Sequence, residues 1–136
     1  MKSKDTVDAL IKKGIAYEDL ENISEAIKCY DKALKINPQN EKVWNTKGVL
    51  LDDLEKFDEA IKCYDKALKI NPKYAWAWSN KGISLTNLKK FDEAIKCYDK
   101  ALKINPQDAE IWAIKGDVFL EIGKKGEAKK SFEKSH

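Results

Sequence analysis

Apolar residues recur along this chain in a pattern that resets every 34 positions. Counted from residues 7, 41, 75 and 109, each unit opens with an apolar-periodic stretch that ends near its fourteenth position, at Leu20, Leu54, Leu88 and Ile122. A polar break follows: Glu21-Asn22, Glu55-Lys56, Lys89-Lys90 and Gly123-Lys124. A second stretch then runs until Asn-Pro stops it at Pro38, Pro72 and Pro106. Apolar spacings of three and four belong to one helix face, and proline cannot continue a helix. Every unit therefore predicts two helices, A then B, and the chain eight. Ser24, Asp58 and Asp92 stand just before a glutamate and are expected to cap the B helices. Asn40 and Asp108 are placed to cap the following A helix, a role Tyr74 cannot fill.

The B stretch barely varies. Glu-Ala-Ile-Lys-Cys-Tyr-Asp-Lys-Ala-Leu-Lys-Ile-Asn-Pro occurs unchanged at 25–38, 59–72 and 93–106. Within it Ala26, Tyr30 and Ala33, and their copies, form a stripe in which two small side chains flank an aromatic. Each A stretch carries a glycine at its eighth position, Gly14, Gly48, Gly82 and Gly116. A mid-helix glycine costs about 0.5–1 kcal/mol relative to alanine, so its recurrence needs a compensating gain. Close approach of helix A to helix B is the expected one. A helix pair of this size cannot bury its apolar face alone, so copies must stack.

Trp44, Trp78 and Trp112 at position 4, the glycines at 8, Tyr17 at 11, the alanines at 20 and 27, Tyr30 and its copies at 24 and the prolines at 32 resemble the tetratricopeptide repeat. The likeness covers residues 7–136. It departs at Leu10, which stands for tryptophan, and at Leu51, Leu85 and Phe119, which stand for tyrosine and keep their sites apolar. The resemblance implies an all-α fold, a right-handed superhelical solenoid of antiparallel helix pairs. Its repeats would be 7–40, 41–74, 75–108 and a shorter fourth at 109–136, in one domain over 1–136. It further implies A helices that line a concave groove and bind a peptide or protein partner.

Composition narrows the partner. All 26 basic residues are lysine and the net charge is only +3, so the forked arginine donor suited to phosphates is missing and nucleic acid is not expected. No apolar run approaches the roughly 20 residues that span a bilayer, and Met1-Lys2-Ser3-Lys4-Asp5 lacks the apolar core of a secretory signal. A cytoplasmic protein without membrane contact is the expectation. Cys29, Cys63 and Cys97 are one position copied three times, with no CxxC, and the sole histidine is His136. They read as small apolar filler, with neither disulfide nor metal. No nucleophile is paired with a base, so neither an enzyme nor a cofactor is expected.

Positions 2, 5, 6, 9, 12 and 13 of helix A lie away from its apolar stripe and, by the resemblance, face the groove. They hold Asp8, Glu18, Asp19, Asp52, Asp53, Glu110, Asp117 and Glu121 against Lys12 and Lys42, a net of −6 in a chain of +3. Ile11, Ile15, Val49, Ile83, Ile114 and Leu120 share the face, with Trp76 as the expected anchor. Acidic walls over an apolar floor suit a segment with lysine or arginine among hydrophobic side chains. The expected ligand contacts are Asp19, Lys42, Asn45, Val49, Asp52, Asp53, Trp76, Asn80, Ile83, Asn87 and Asp117. The bland alternatives are a solvated acidic face and a Trp76 ring folded over the preceding turn near Tyr74. Some family members hold acidic tails in a clamp of Lys, Asn and Arg. Here Ile11, Ile15, Trp76 and Asn80 stand at such positions, so the clamp is absent.

A structural alternative is a self-assembling or engineered array without a selected ligand; identical B segments favour it and varied A helices oppose it. In the fourth unit Lys125 and Lys129 replace the apolar residues of the other units, and Gly123 and Gly126 are expected to weaken the helix. That helix reads as a polar cap of a mainly monomeric chain. The rival is weak head-to-tail association of Phe132 with Val7 and Leu10 of another copy.

Overall fold

The computed structural model describes residues 3–136, with side chains from Thr6 onward. Among these residues there are eight helices and no strand: α1 (Ser3–Asp19), α2 (Ile23–Ile36), α3 (Glu41–Asp53), α4 (Phe57–Ile70), α5 (Ala75–Asn87), α6 (Phe91–Ile104), α7 (Ala109–Glu121) and α8 (Lys125–Lys134). They pack in consecutive pairs, and the chain divides into two compact units, Met1–Asn71 and Pro72–His136. In the first unit α2 also packs on α3, and in the second α6 packs on α7.

An aromatic ring seated on a glycine closes each pair. Tyr64 is fully buried on α4, and a Cβ placed on Gly48 would lie 2.5 Å from its Cε1. The same holds for Gly14 with Tyr30 at 2.6 Å, Gly82 with Tyr98 at 2.5 Å and Gly116 with Phe132 at 2.6 Å. The close approach is thus of a ring to a backbone, not of two backbones. Burying such a ring contributes about 1.5–3 kcal/mol, more than the helix loses by carrying glycine. In the first unit the core joins Ala26, Tyr30 and Leu34 of α2 to Val43 and Leu50 of α3, with Ile11 and Tyr17 of α1 against them. Cys29, Cys63 and Cys97 are buried thiols. Burial pushes the Cys63 thiol up to about 11, against the opposing pull of the Lys47 ammonium.

The helix termini correct two expectations. Each A helix closes on a residue at positive φ: Glu21 at 57°, Glu55 at 58°, Lys89 at 61° and Gly123 at 80°. The next N–H turns back to donate to a carbonyl of the last turn, as from Asn22 to Tyr17 and from Lys124 to Phe119, both at 2.8 Å. Gly123 therefore lies outside α8 and serves the end of α7. The B helices also begin earlier than expected. Asn22, not Ser24, caps α2 by accepting from the Glu25 N–H at 3.3 Å. Lys56 and Lys90 hold the matching places before α4 and α6 and make no side-chain cap bond. Asp58 and Asp92 fall in the first turn, where they meet the positive helix end. Asn40 and Asp108 do cap, accepting from the N–H of Val43 and Ile111 at 3.2 Å, and Tyr74 makes no side-chain cap bond.

Candidate functional site

The A helices present the candidate faces, one in each compact unit. In the first unit α1 and α3 expose Ile15 and Val49, with Asp19, Lys42 and Asp53 in solvent. Asn45, expected at the surface, is only 6% exposed and belongs to the packed part of α3. In the second unit α5 and α7 expose Trp76, Ile83 and Leu120. Asn87, Glu110, Asp117 and Glu121 are solvated and Asn80 is half-buried. Trp76 is 69% exposed. An indole left in water at that level is unusual for a side chain with so much apolar area to bury.

Two of the counted acids have a second occupation. The Tyr30 hydroxyl donates to the Glu18 carboxylate, and the Tyr64 hydroxyl donates to Asp52 Oδ2 at 2.5 Å. In the third repeat the Tyr98 hydroxyl and the Thr86 hydroxyl lie 2.9 Å apart. Burial holds the Tyr30 phenol well above its ordinary range, and the Glu18 carboxylate pushes the same way. Burial takes Tyr98 up to about 12, with the Thr86 bond opposing. Sequence reasoning missed these pairs, yet a signal exists. An oxygen acceptor stands at position 12 wherever position 24 is tyrosine, and Leu120 stands there where position 24 is Phe132.

The tryptophans at position 4 are half-buried. The indole N–H groups of Trp44, Trp78 and Trp112 donate to the carbonyls of Pro38, Pro72 and Pro106, each at 2.8 Å. Each bond runs from an A helix to the turn that precedes it. Among the described residues no group of His, Cys, Asp and Glu is arranged to hold a metal ion, and no helix is long and apolar enough to cross a membrane.

A family model described as Tetratricopeptide repeat matches residues 7–40, 41–74 and 75–108, and a second of the same description matches 97–130. The chain belongs to the tetratricopeptide repeat family. Its fold is similar to a crystal structure of MamA, at 25% identity and a TM-score of 0.91, over 95% of this chain and 75% of that one. It is also similar to MamA 41-end from Desulfovibrio magneticus RS-1, at 21% identity and a TM-score of 0.88, over 95% and 73% of the two chains; at that identity only the fold is shared. The first TPR of Spaghetti (RPAP3), bound to the HSP90 peptide SRMEEVD, matches at 26% identity and a TM-score of 0.83, over 87% of this chain and 94% of that one. No curated protein matches by sequence. As a tetratricopeptide repeat protein the chain is a protein-interaction scaffold with an all-α fold.

Proposed function

We propose that the chain, acting as a monomer, holds a basic and partly apolar segment of a partner protein against the exposed face of its A helices. The observation that carries this is Trp76, 69% exposed on a face that also bears Ile83 and the acids Glu110, Asp117 and Glu121. Ile15 and Val49 beside Asp19 and Asp53 offer the same chemistry in the first unit. In the second unit apolar side chains of such a segment would cover Trp76 and Ile83, in the first they would cover Val49, and in either its lysines or arginines would meet the carboxylates of that unit. Lys42, Asn80 and Asn87 are suited to its backbone amides. The SRMEEVD peptide of the RPAP3 structure is acidic. Its charge is opposite to the one proposed here, and the positions where a cationic clamp would stand hold Ile11, Ile15, Trp76 and Asn80.

A peptide array probed with the full chain tests the reading. Sequences that interleave lysine or arginine with apolar residues should win, and their binding should fall as salt screens exposed charges over about 8–10 Å at 0.1–0.15 M. Trp76→Ala should weaken the winners by roughly 2 kcal/mol, the loss typical of a central aromatic anchor. Acidic winners, or winners indifferent to Trp76→Ala, would reject it.

A further inference from the structure

A second charged surface, of opposite sign, is built around the position-4 tryptophans. In the first unit a cleft of about 500 Å³ is lined by Trp44 and by Lys28, Lys47, Lys56, Lys62 and Lys66, with only Asp31 and Glu59 as acids. The Lys47 and Lys66 ammonium groups lie 5.7 and 5.9 Å from the centre of the Trp44 ring. Lys47 also pairs with Asp31 at 2.6 Å. The arrangement recurs at Trp78 with Lys81, Lys96, Lys100 and one acid, Glu93, in a cleft of about 240 Å³. It recurs again at Trp112 with Lys115, Lys130, Lys134 and Glu127, in about 160 Å³. There the Lys115 and Lys134 ammonium groups lie 5.2 and 5.1 Å from the Trp112 ring. Lys115 also pairs with Asp99 at 2.6 Å. A tryptophan floor with at least three lysines and a glutamate thus recurs three times, lysines outnumbering acids each time even with the paired aspartates counted, on side chains that the peptide face does not use.

We propose that these tryptophan–lysine clefts bind the carboxylates of an Asp- and Glu-rich segment of a partner protein. Two physical points favour that occupant. Each cleft carries an excess of ammonium groups, and the attraction of the ring for the cations above it holds lysines that would otherwise move freely, so less freedom is lost when a carboxylate bridges them. Nucleic acid fits less well. Its non-specific binding relies on bases stacking on open aromatic faces, whereas these rings already lie under lysines, their N–H groups are bound to proline carbonyls, and no arginine is present. A single exposed ion pair contributes little, so a useful affinity requires one segment to engage several lysines at once.

The test follows the fluorescence anisotropy of a dye-labelled oligoglutamate peptide titrated with the full chain. One variant carries Lys62→Gln, Lys96→Gln and Lys130→Gln, all within the clefts. The other carries Lys35→Gln, Lys69→Gln and Lys125→Gln, exposed lysines that remove equal charge outside them. The cleft variant should bind about tenfold more weakly and the control within about twofold of the wild type. Equal losses in the two variants, or no binding by the wild type at low salt, would overturn the proposal. A single-stranded oligonucleotide of the same charge that binds more tightly than the peptide, with the cleft variant alone weakened, would overturn it in favour of nucleic acid.

Discussion

The contact between Gly82 and Tyr98 shows how one residue type can be right at one place and wrong at another. A Cβ on Gly82 would lie 2.5 Å from Cε1 of a ring that is fully buried. Gly82→Ala should therefore lower stability by about 1–3 kcal/mol, as overpacking does, despite the better helix propensity of alanine. Gly126 sits in the first turn of α8 with no described atom near its missing Cβ. Gly126→Ala should raise stability by up to about 1 kcal/mol. Urea midpoints that move in the same direction for both would contradict this. Tyr98 carries a pH prediction. Its phenol is raised from 10.0 to about 12, so the folded chain keeps a proton that the unfolded chain releases. The stabilisation is complete below pH 10 and is lost as pH rises through about 12. Tyr98→Phe should flatten the alkaline limb of the stability curve in that window, and an unchanged slope would count against it. The glycines were legible in the sequence because a repeated cost demands a repeated reason. The hydroxyl partners were not, because helical-wheel logic places position 12 on the far face and ignores the reach of a tyrosine.

At the scale of the element, the left-handed closing residue decides where each helix ends. Glu21, Glu55 and Lys89 occupy that conformation with a side chain, at a cost of about 1–2 kcal/mol, while Gly123 occupies it without that strain. Glu55→Gly should thus stabilise the chain by about 0.5–1 kcal/mol once the extra freedom of glycine in the unfolded chain is discounted. Gly123→Ala should destabilise it by a similar amount. Thermal melts of the two variants check both signs. Helix existence and order were readable from apolar spacing and from Asn-Pro. The B-helix caps were misplaced by two residues because three of the four closing positions lack the glycine that would have marked them. Lys56 has backbone angles close to those of Asn22, which does cap, so Lys56→Asn should gain about 1 kcal/mol by the same bond.

For the molecule as a whole, period and composition were enough for the all-α repeat fold, since a 34-residue helix pair has an apolar face that only another copy can cover. The candidate site was legible only in outline. Trp76, Val49, Ile83, Asp53 and Asp117 are exposed as the helical face requires, whereas Asn45 is buried and Glu18 and Asp52 are drawn inward by tyrosines. Burial and tertiary hydrogen bonds depend on neighbours that a single helix pattern does not contain. The central claim is that the A-helix face binds a basic, partly apolar segment, and the most direct measurement is a chemical-shift map of the isotope-labelled full chain titrated with such a peptide. The account predicts the largest changes at Trp76, Ile83 and Asp117 in the second unit and at Val49 and Asp53 in the first, with Lys62 and the Trp44 indole unmoved. Changes concentrated on α2, α4 and α6, or none when the peptide is in large excess, would contradict it.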